Sequence, residues 1–144
     1  MLAHHSLTPL VLYVEDEEND ALFMRIAFEK AGLGEALQTV GDGREAIDYL
    51  SGTGPFANRD QYPLPSLLLL DLNLPLITGF QVLEWLRQHP EFRTLPVVVF
   101  SSSPRALDET KARALGANAF VEKPNSALQF GTVVEGLRRS GYMR

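Results

Sequence analysis

At 144 residues, with 45% hydrophobic and 22% charged residues, the chain has the composition of one globular domain, long enough to bury roughly two thirds of the surface its unfolded form exposes. The absence of cysteine excludes disulfides, thiolate metal sites and cysteine nucleophiles, and a net charge of -5 argues against nucleic-acid binding, which needs a basic surface. No secretory signal opens the chain and no apolar run approaches the roughly 20 residues of a membrane span, so a cytoplasmic protein without membrane contact is expected.

Residues 1–8 are expected to be a flexible N-terminus, and the adjacent His4 and His5 within it are assigned no role. "PLVLYV" (9–14) is a short apolar run between a proline and an acidic cluster, and reads as a buried strand. Leu22, Phe23, Ile26 and Ala27 then recur with helical period before Gly32. "EALQTV" (35–40) is a weaker strand, and Asp42 ahead of Gly43 is placed to cap a short helix over 44–50. A Gly/Pro/Asn-rich loop over 51–65 breaks the rhythm, a length that usually marks function or mobility.

"SLLLLD" (66–71) and "PVVVF" (96–100) are continuous rather than alternating apolar runs, as in strands covered on both faces. Between them Val82, Trp85 and Leu86 follow Gly79 at helical spacing. A fourth helix over 105–115 has the poorest stripe and ends at Gly116, and "AFVE" (119–122) is a fifth strand. Phe130, Val133, Val134 and Leu137 at i, i+3, i+4, i+7 make the clearest amphipathic helix. Strands and helices alternate, and the right-handed crossover rule turns that order into an α/β, doubly wound parallel sheet.

Open parallel sheets bind ligands at the carboxyl ends of their strands. There the sequence supplies Glu15 and Asp16 after the first strand, Asp71 after the third, Ser101 after the fourth and Lys123-Pro124 after the fifth. Acids after a strand are often solvated turn residues, which accounts for Glu17, Glu18 and Asn19, and Asp20 reads as a first-turn charge complementing the helix dipole. Glu15, Asp16 and Asp71 together are different, because three converging carboxylates repel unless a cation lies among them. An oxygen-only donor set favours a hard ion, Mg²⁺ before Ca²⁺.

"VLYVED", "LLLLDLNLP" with Gly79, "PVVVFSSS" and "AFVEKP", in this order and spacing, resemble the receiver domain of two-component response regulators over nearly the whole chain. The resemblance implies a flavodoxin-like (βα)5 fold with strand order 2-1-3-4-5. It implies that Asp71 accepts a phosphoryl group from the phosphohistidine of a sensor histidine kinase, and that Glu15, Asp16, Asp71 and the backbone carbonyl of Asn73 hold Mg²⁺, or Mn²⁺ in its place. Ser101 would hydrogen-bond the phosphoryl group, Lys123 would pair with it, and the bond to Pro124 would be cis. Phe120 stands at the family's switch-aromatic position, where plain core packing explains it equally well. Ser103 and Asn73 occupy places that tune self-dephosphorylation in the family.

The long 51–65 loop is similar to that of stand-alone receivers paired with phytochrome-type or hybrid kinases. The receiver is expected over 9–139 with a short 140–144 tail and no output domain, so a signal would leave through a protein surface. The face of the fourth helix, fifth strand and fifth helix would serve a downstream protein target or a homodimer. A haloacid-dehalogenase-type phosphatase also uses a strand-end aspartate, but Asn73 stands where that family wants a second acid. A module that binds partners without phosphate is opposed by the complete set of site residues.

Overall fold

The computed structural model describes residues 10–102 and 106–143. His4, His5, Ser103 and the expected helix start at residue 105 lie outside the described residues. Five strands, β1 (Val11–Val14), β2 (Leu37–Val40), β3 (Leu67–Leu70), β4 (Val97–Ser101) and β5 (Ala119–Glu122), form one parallel sheet in the order β2-β1-β3-β4-β5. The helices α1 (Glu18–Lys30), α2 (Gly43–Ser51), α3 (Gly79–Gln88), α4 (Ala106–Ala114) and α5 (Phe130–Ser140) alternate with them. The expected architecture and strand order are those observed.

The unbroken apolar runs have a direct cause. Successive side chains of a strand point to opposite faces, and here both faces are covered by helices. Leu12, Val14, Leu68, Leu70, Val97 and Val99 pack into one core layer with Val82, Leu83 and Leu86 of α3 and Tyr49 and Leu50 of α2. Val11, Tyr13, Leu67, Leu69, Val98 and Phe100 pack into the other, with Met24 and Phe28 of α1 and Phe130, Val134 and Leu137 of α5. The side chains of the three central strands in these layers are all essentially inaccessible to solvent.

In α1 the expected apolar face is rotated. Leu22 and Ile26 are exposed, while Met24, Ala27 and Phe28 are buried and Phe23 packs partly against the core. Phe23, Met24, Ala27 and Phe28 make an equally good i, i+1, i+4, i+5 stripe, and the larger Phe28 fills the space under the sheet that Ile26 would leave partly empty. In α3, Leu83 completes the buried stripe and Trp85 sits at its margin, stacked on Phe92 with ring centroids 5.7 Å apart. The fourth helix does have a poor stripe, with Ala112 its buried residue among those described. β2 is two residues shorter than expected because Gly34–Ala36 forms a 3-10 turn before it.

Helix ends follow local chemistry. Asp42 accepts the Glu45 N–H at 2.7 Å and caps α2, and Thr78 and Gln81 form a reciprocal capping box at the start of α3. The 51–65 loop is tied down by Arg59. Its guanidinium donates to the carbonyls of Tyr49 (2.8 Å) and Leu50 (2.8 Å) at the end of α2 and of Tyr62 (3.1 Å) within the loop, the Tyr49 carbonyl also accepting the Gly52 N–H at 3.1 Å. The Tyr49 hydroxyl donates to the Pro63 carbonyl at 2.8 Å, and Tyr49, Phe56 and Tyr62 form a ring cluster with centroids 5.2 to 5.9 Å apart. Among the described residues no helix is long and apolar enough to cross a membrane.

Arg59→Ala takes from the Leu50 carbonyl its side-chain donor and cuts the tie between the close of α2 and the 51–65 loop. It is expected to lower stability by about 1–3 kcal/mol, read as a reduced urea midpoint.

Candidate functional site

Sheet register brings the site residues to one edge. Val14 pairs with both Val40 and Leu70, and Leu70 with Val99, so β1 and β3 end level with each other. The hydrogen-bond ladder runs one residue further. Glu15 N–H donates to the Val40 carbonyl at 3.0 Å, Asp71 N–H to the Val14 carbonyl at 3.2 Å, and Lys123 N–H to the Ser101 carbonyl at 2.8 Å. These bonds fix the backbones of the strand-end residues before any side chain is considered.

Glu15, Asp71, Ser101 and Lys123 are the buried polar or charged residues among those described, and each is at most 7% exposed. The carboxylates of Glu15, Asp16 and Asp71 each place an oxygen within 4.8 Å of the others, with Asp16 exposed to solvent. The Lys123 ammonium reaches Glu15 Oε1 at 2.7 Å, Asp20 Oδ2 at 3.0 Å and Asp71 Oδ2 at 3.2 Å. Asp71 Oδ1 accepts the Asn73 N–H at 3.1 Å, so both oxygens of this carboxylate are held. Glu15 Oε1 accepts the buried Tyr13 hydroxyl at 2.7 Å, and its Oε2 accepts the Glu17 N–H at 3.2 Å.

The electrostatics follow from this crowding. Burial pushes the Glu15 carboxyl up to about 7 and the charge of Asp71 adds to the rise, although the hydrogen bond from Lys123 pulls the other way. Burial works to lower Lys123, but its bond to Glu15, the charge of Asp71 and its bond to Asp20 outweigh that and hold the ammonium above the ordinary lysine range. Burial, reinforced by the Glu15 charge, lifts the Tyr13 hydroxyl far above the usual tyrosine value.

The donor set is one that a hard divalent ion accepts: three carboxylates with oxygens converging at a solvent-open edge, and no nitrogen or sulfur ligand. Gly79, the first residue of α3, is wedged beneath it. A side chain there would overlap the Asp71 carbonyl oxygen and the Leu72 Cα, so only glycine lets α3 start this close to the nucleophile candidate. The loop between β3 and α3 also holds Leu76 in a left-handed conformation (φ 64°).

Most predicted site residues therefore meet. Glu15, Asp16, Asp71 and Lys123 share one cluster, and Ser101 is buried on the neighbouring strand, joined to Lys123 through the backbone. Phe120, opposite Val99 in β5, is half-buried against the core layer of α2 and α3. One expectation is corrected: no peptide bond among the described residues is cis, and Lys123–Pro124 is trans. The trans isomer of an X–Pro bond is favoured by about 0.5–1 kcal/mol, and Lys123 reaches all its carboxylate partners with it, so no contact calls for the other isomer.

Sequence reasoning missed Asp20 and Tyr13 as members of the cluster. Tyr13 carried a usable signal, since a hydroxyl inside the apolar run 9–14 needs a partner once buried.

The response regulator receiver domain model matches residues 11–135. The chain belongs to this family. The response regulator Rcp1 of Synechocystis is 30% identical over 128 residues, covering 89% of this chain and 85% of that protein. The structure of its Mn²⁺-bound form superposes with a TM-score of 0.80 at 28% identity, over 94% of this receiver and 95% of that chain. The phosphorylated cyanobacterial phytochrome response regulator RcpA gives a TM-score of 0.82 at 32% identity, with 91% of each chain covered. The response regulator RPA3017 in red light signalling of R. palustris gives 0.82 at 36% identity, with 90% of each covered. The receiver thus has the flavodoxin-like fold of two-component response regulators and belongs to a signalling family rather than a classical enzyme family.

In the metal-free receiver, Glu15 titrates near 7 when folded against an ordinary value of 4.5. A raised folded value means that its stabilising contribution is full below 4.5 and is lost as pH rises through about 7. Glu15→Gln escapes that loss. Its stability relative to wild type, from urea unfolding in chelator, should rise by up to about 3 kcal/mol from acid to mildly alkaline pH; a constant difference would contradict the assignment. Gly79→Ala must push α3 away from β3 and is expected to cost about 1–3 kcal/mol in the same assay.

Proposed function

We propose that this receiver accepts a phosphoryl group on Asp71 from the phosphohistidine of a sensor histidine kinase, in a reaction dependent on Mg²⁺ or Mn²⁺, and signals through a protein surface that phosphorylation alters. The observation that carries this reading is the convergence of Glu15, Asp16 and Asp71 within 4.8 Å, with the Lys123 ammonium bonded to Asp71. Glu15, Asp16, Asp71 and the Asn73 carbonyl would hold the ion. A divalent ion there supplies positive charge against the phosphoryl oxygens.

A carboxylate is a weak nucleophile that the phosphoryl oxygens repel, so transfer depends on positioning and charge neutralisation. The Asn73 N–H and the Lys123 ammonium hold the two oxygens of Asp71 in place. One of these oxygens attacks phosphorus, and its bond to phosphorus forms as the P–N bond of the phosphohistidine breaks, the electron pair leaving with the imidazole nitrogen. Lys123 and the Ser101 hydroxyl then face a group that brings about -1.5 to -2 of charge and new acceptor oxygens.

The same group is the switch. Attraction of Ser101 toward it would draw the end of β4 inward and open room for Phe120 to turn in from its half-buried position. The output face would be that of α4, β5 and α5, and between β5 and α5 an apolar groove of about 480 Å³ is lined by Val121, Val133 and Leu137 among others. It would receive a downstream protein or a second copy of the receiver. The similarity to RcpA, a phytochrome response regulator, and to RPA3017, of red light signalling, favours a phytochrome-type kinase as the donor, and with such a partner the receiver, spanning 9–139, would work in the cytoplasm.

Incubated with acetyl phosphate and Mg²⁺, the intact protein should gain the mass of one phosphoryl group, and Asp71→Asn should gain none. An unmodified wild type, or modification that persists in the variant, refutes the proposal.

A further inference from the structure

Asp20 lies in the first turn of α1, where an acid has an ordinary role as a charge complementing the helix dipole. Its carboxylate is engaged elsewhere: Oδ2 accepts from the Lys123 ammonium at 3.0 Å, across 103 residues of sequence. An ammonium has three N–H donors, and Lys123 directs them at Glu15, Asp20 and Asp71. The contact to Asp71, at 3.2 Å, is the longest of these. Asp20 is outside the set of carboxylates whose oxygens converge within 4.8 Å, so its influence on the site runs through Lys123.

We propose that Asp20 is a latch on Lys123, a positioning residue that holds the ammonium back and sets how tightly the site retains a phosphoryl group. The inference rests on the reading of Asp71 as phosphoacceptor. A phosphoryl group turns Asp71 into an acyl phosphate and puts three acceptor oxygens before an ammonium that already bonds Asp20 and Asp71, so the phosphoryl oxygens and the remaining carboxylates call on the same donors. The side chain of Glu15 is 0% exposed, and a carboxylate stripped of its partner there has no water to replace it. That of Asp20 is 26% exposed and can be rehydrated, so its bond is the one given up. The anionic carboxylate then competes with the phosphoryl oxygens for the same ammonium.

Removing that competitor should tighten the phosphorylated form. With saturating Mg²⁺, the acyl-phosphate mimic beryllofluoride, titrated calorimetrically, is expected to bind Asp20→Asn and Asp20→Ala on the order of tenfold more tightly than wild type, the scale of one partly solvated charge-assisted hydrogen bond. A residue serving only the helix dipole would change the urea midpoint and leave this affinity untouched. Wild-type binding with equal or weaker binding by both variants overturns the latch alone. Absence of binding by every form overturns the phosphoacceptor reading and the latch with it.

Discussion

Glu15 and Asp71 are carboxylates held almost wholly out of water at the rim of an apolar sheet, and each would cost several kcal/mol without a countercharge. The Lys123 ammonium is that countercharge. It is itself buried, it bonds Glu15, Asp20 and Asp71 at 2.7 to 3.2 Å, and burial and attraction act on it in opposite directions, with attraction winning. The cluster is poised rather than relaxed. Burial pushes the Glu15 carboxyl up to about 7 even with an ammonium beside it, so further negative charge there calls for further positive charge. Under the proposed function, a divalent ion and a phosphoryl group would bring such a pair of opposite charges.

The backbone makes this possible. The strands flanking the site end level, so residues far apart in sequence begin their loops at one height, and the ladder hydrogen bonds of Glu15, Asp71 and Lys123 fix where each side chain starts. Gly79 then allows α3 to close against the Asp71 backbone. The strand ends thus set where the charges sit.

Much of this was legible in the residues alone. Four leucines ending in an aspartate, and a tyrosine-containing apolar run ending in Glu-Asp, announce strand ends at a doubly covered sheet, and the strand-end rule selects Asp71, Glu15, Asp16 and Lys123. What could not be read there depends on tertiary direction. Asp20 has a sufficient local explanation in its helix, and only the path of β5 brings Lys123 to it. In α1, two overlapping apolar stripes satisfy the helical period, and only packing against α5 and the sheet selects Met24 and Phe28 over Leu22 and Ile26. The 51–65 loop, whose length marks function or mobility, is fastened to the end of α2 by Arg59, an anchorage that needs the tertiary path of the loop to be seen.

The two-layer burial of the strands has a further meaning for folding. Leu67 and Leu69 face one helix layer while Leu68 and Leu70 face the other, and since all are leucine, β3 could slide one residue along its neighbours at little cost in apolar burial. Asp71 removes that degeneracy. A slipped strand would carry its carboxylate roughly 3.3 Å out of line with Lys123, leaving buried charges unpaired. The charged cluster therefore acts as a gauge of strand register, discriminating between alignments that the uniform leucines alone would leave almost equal in energy.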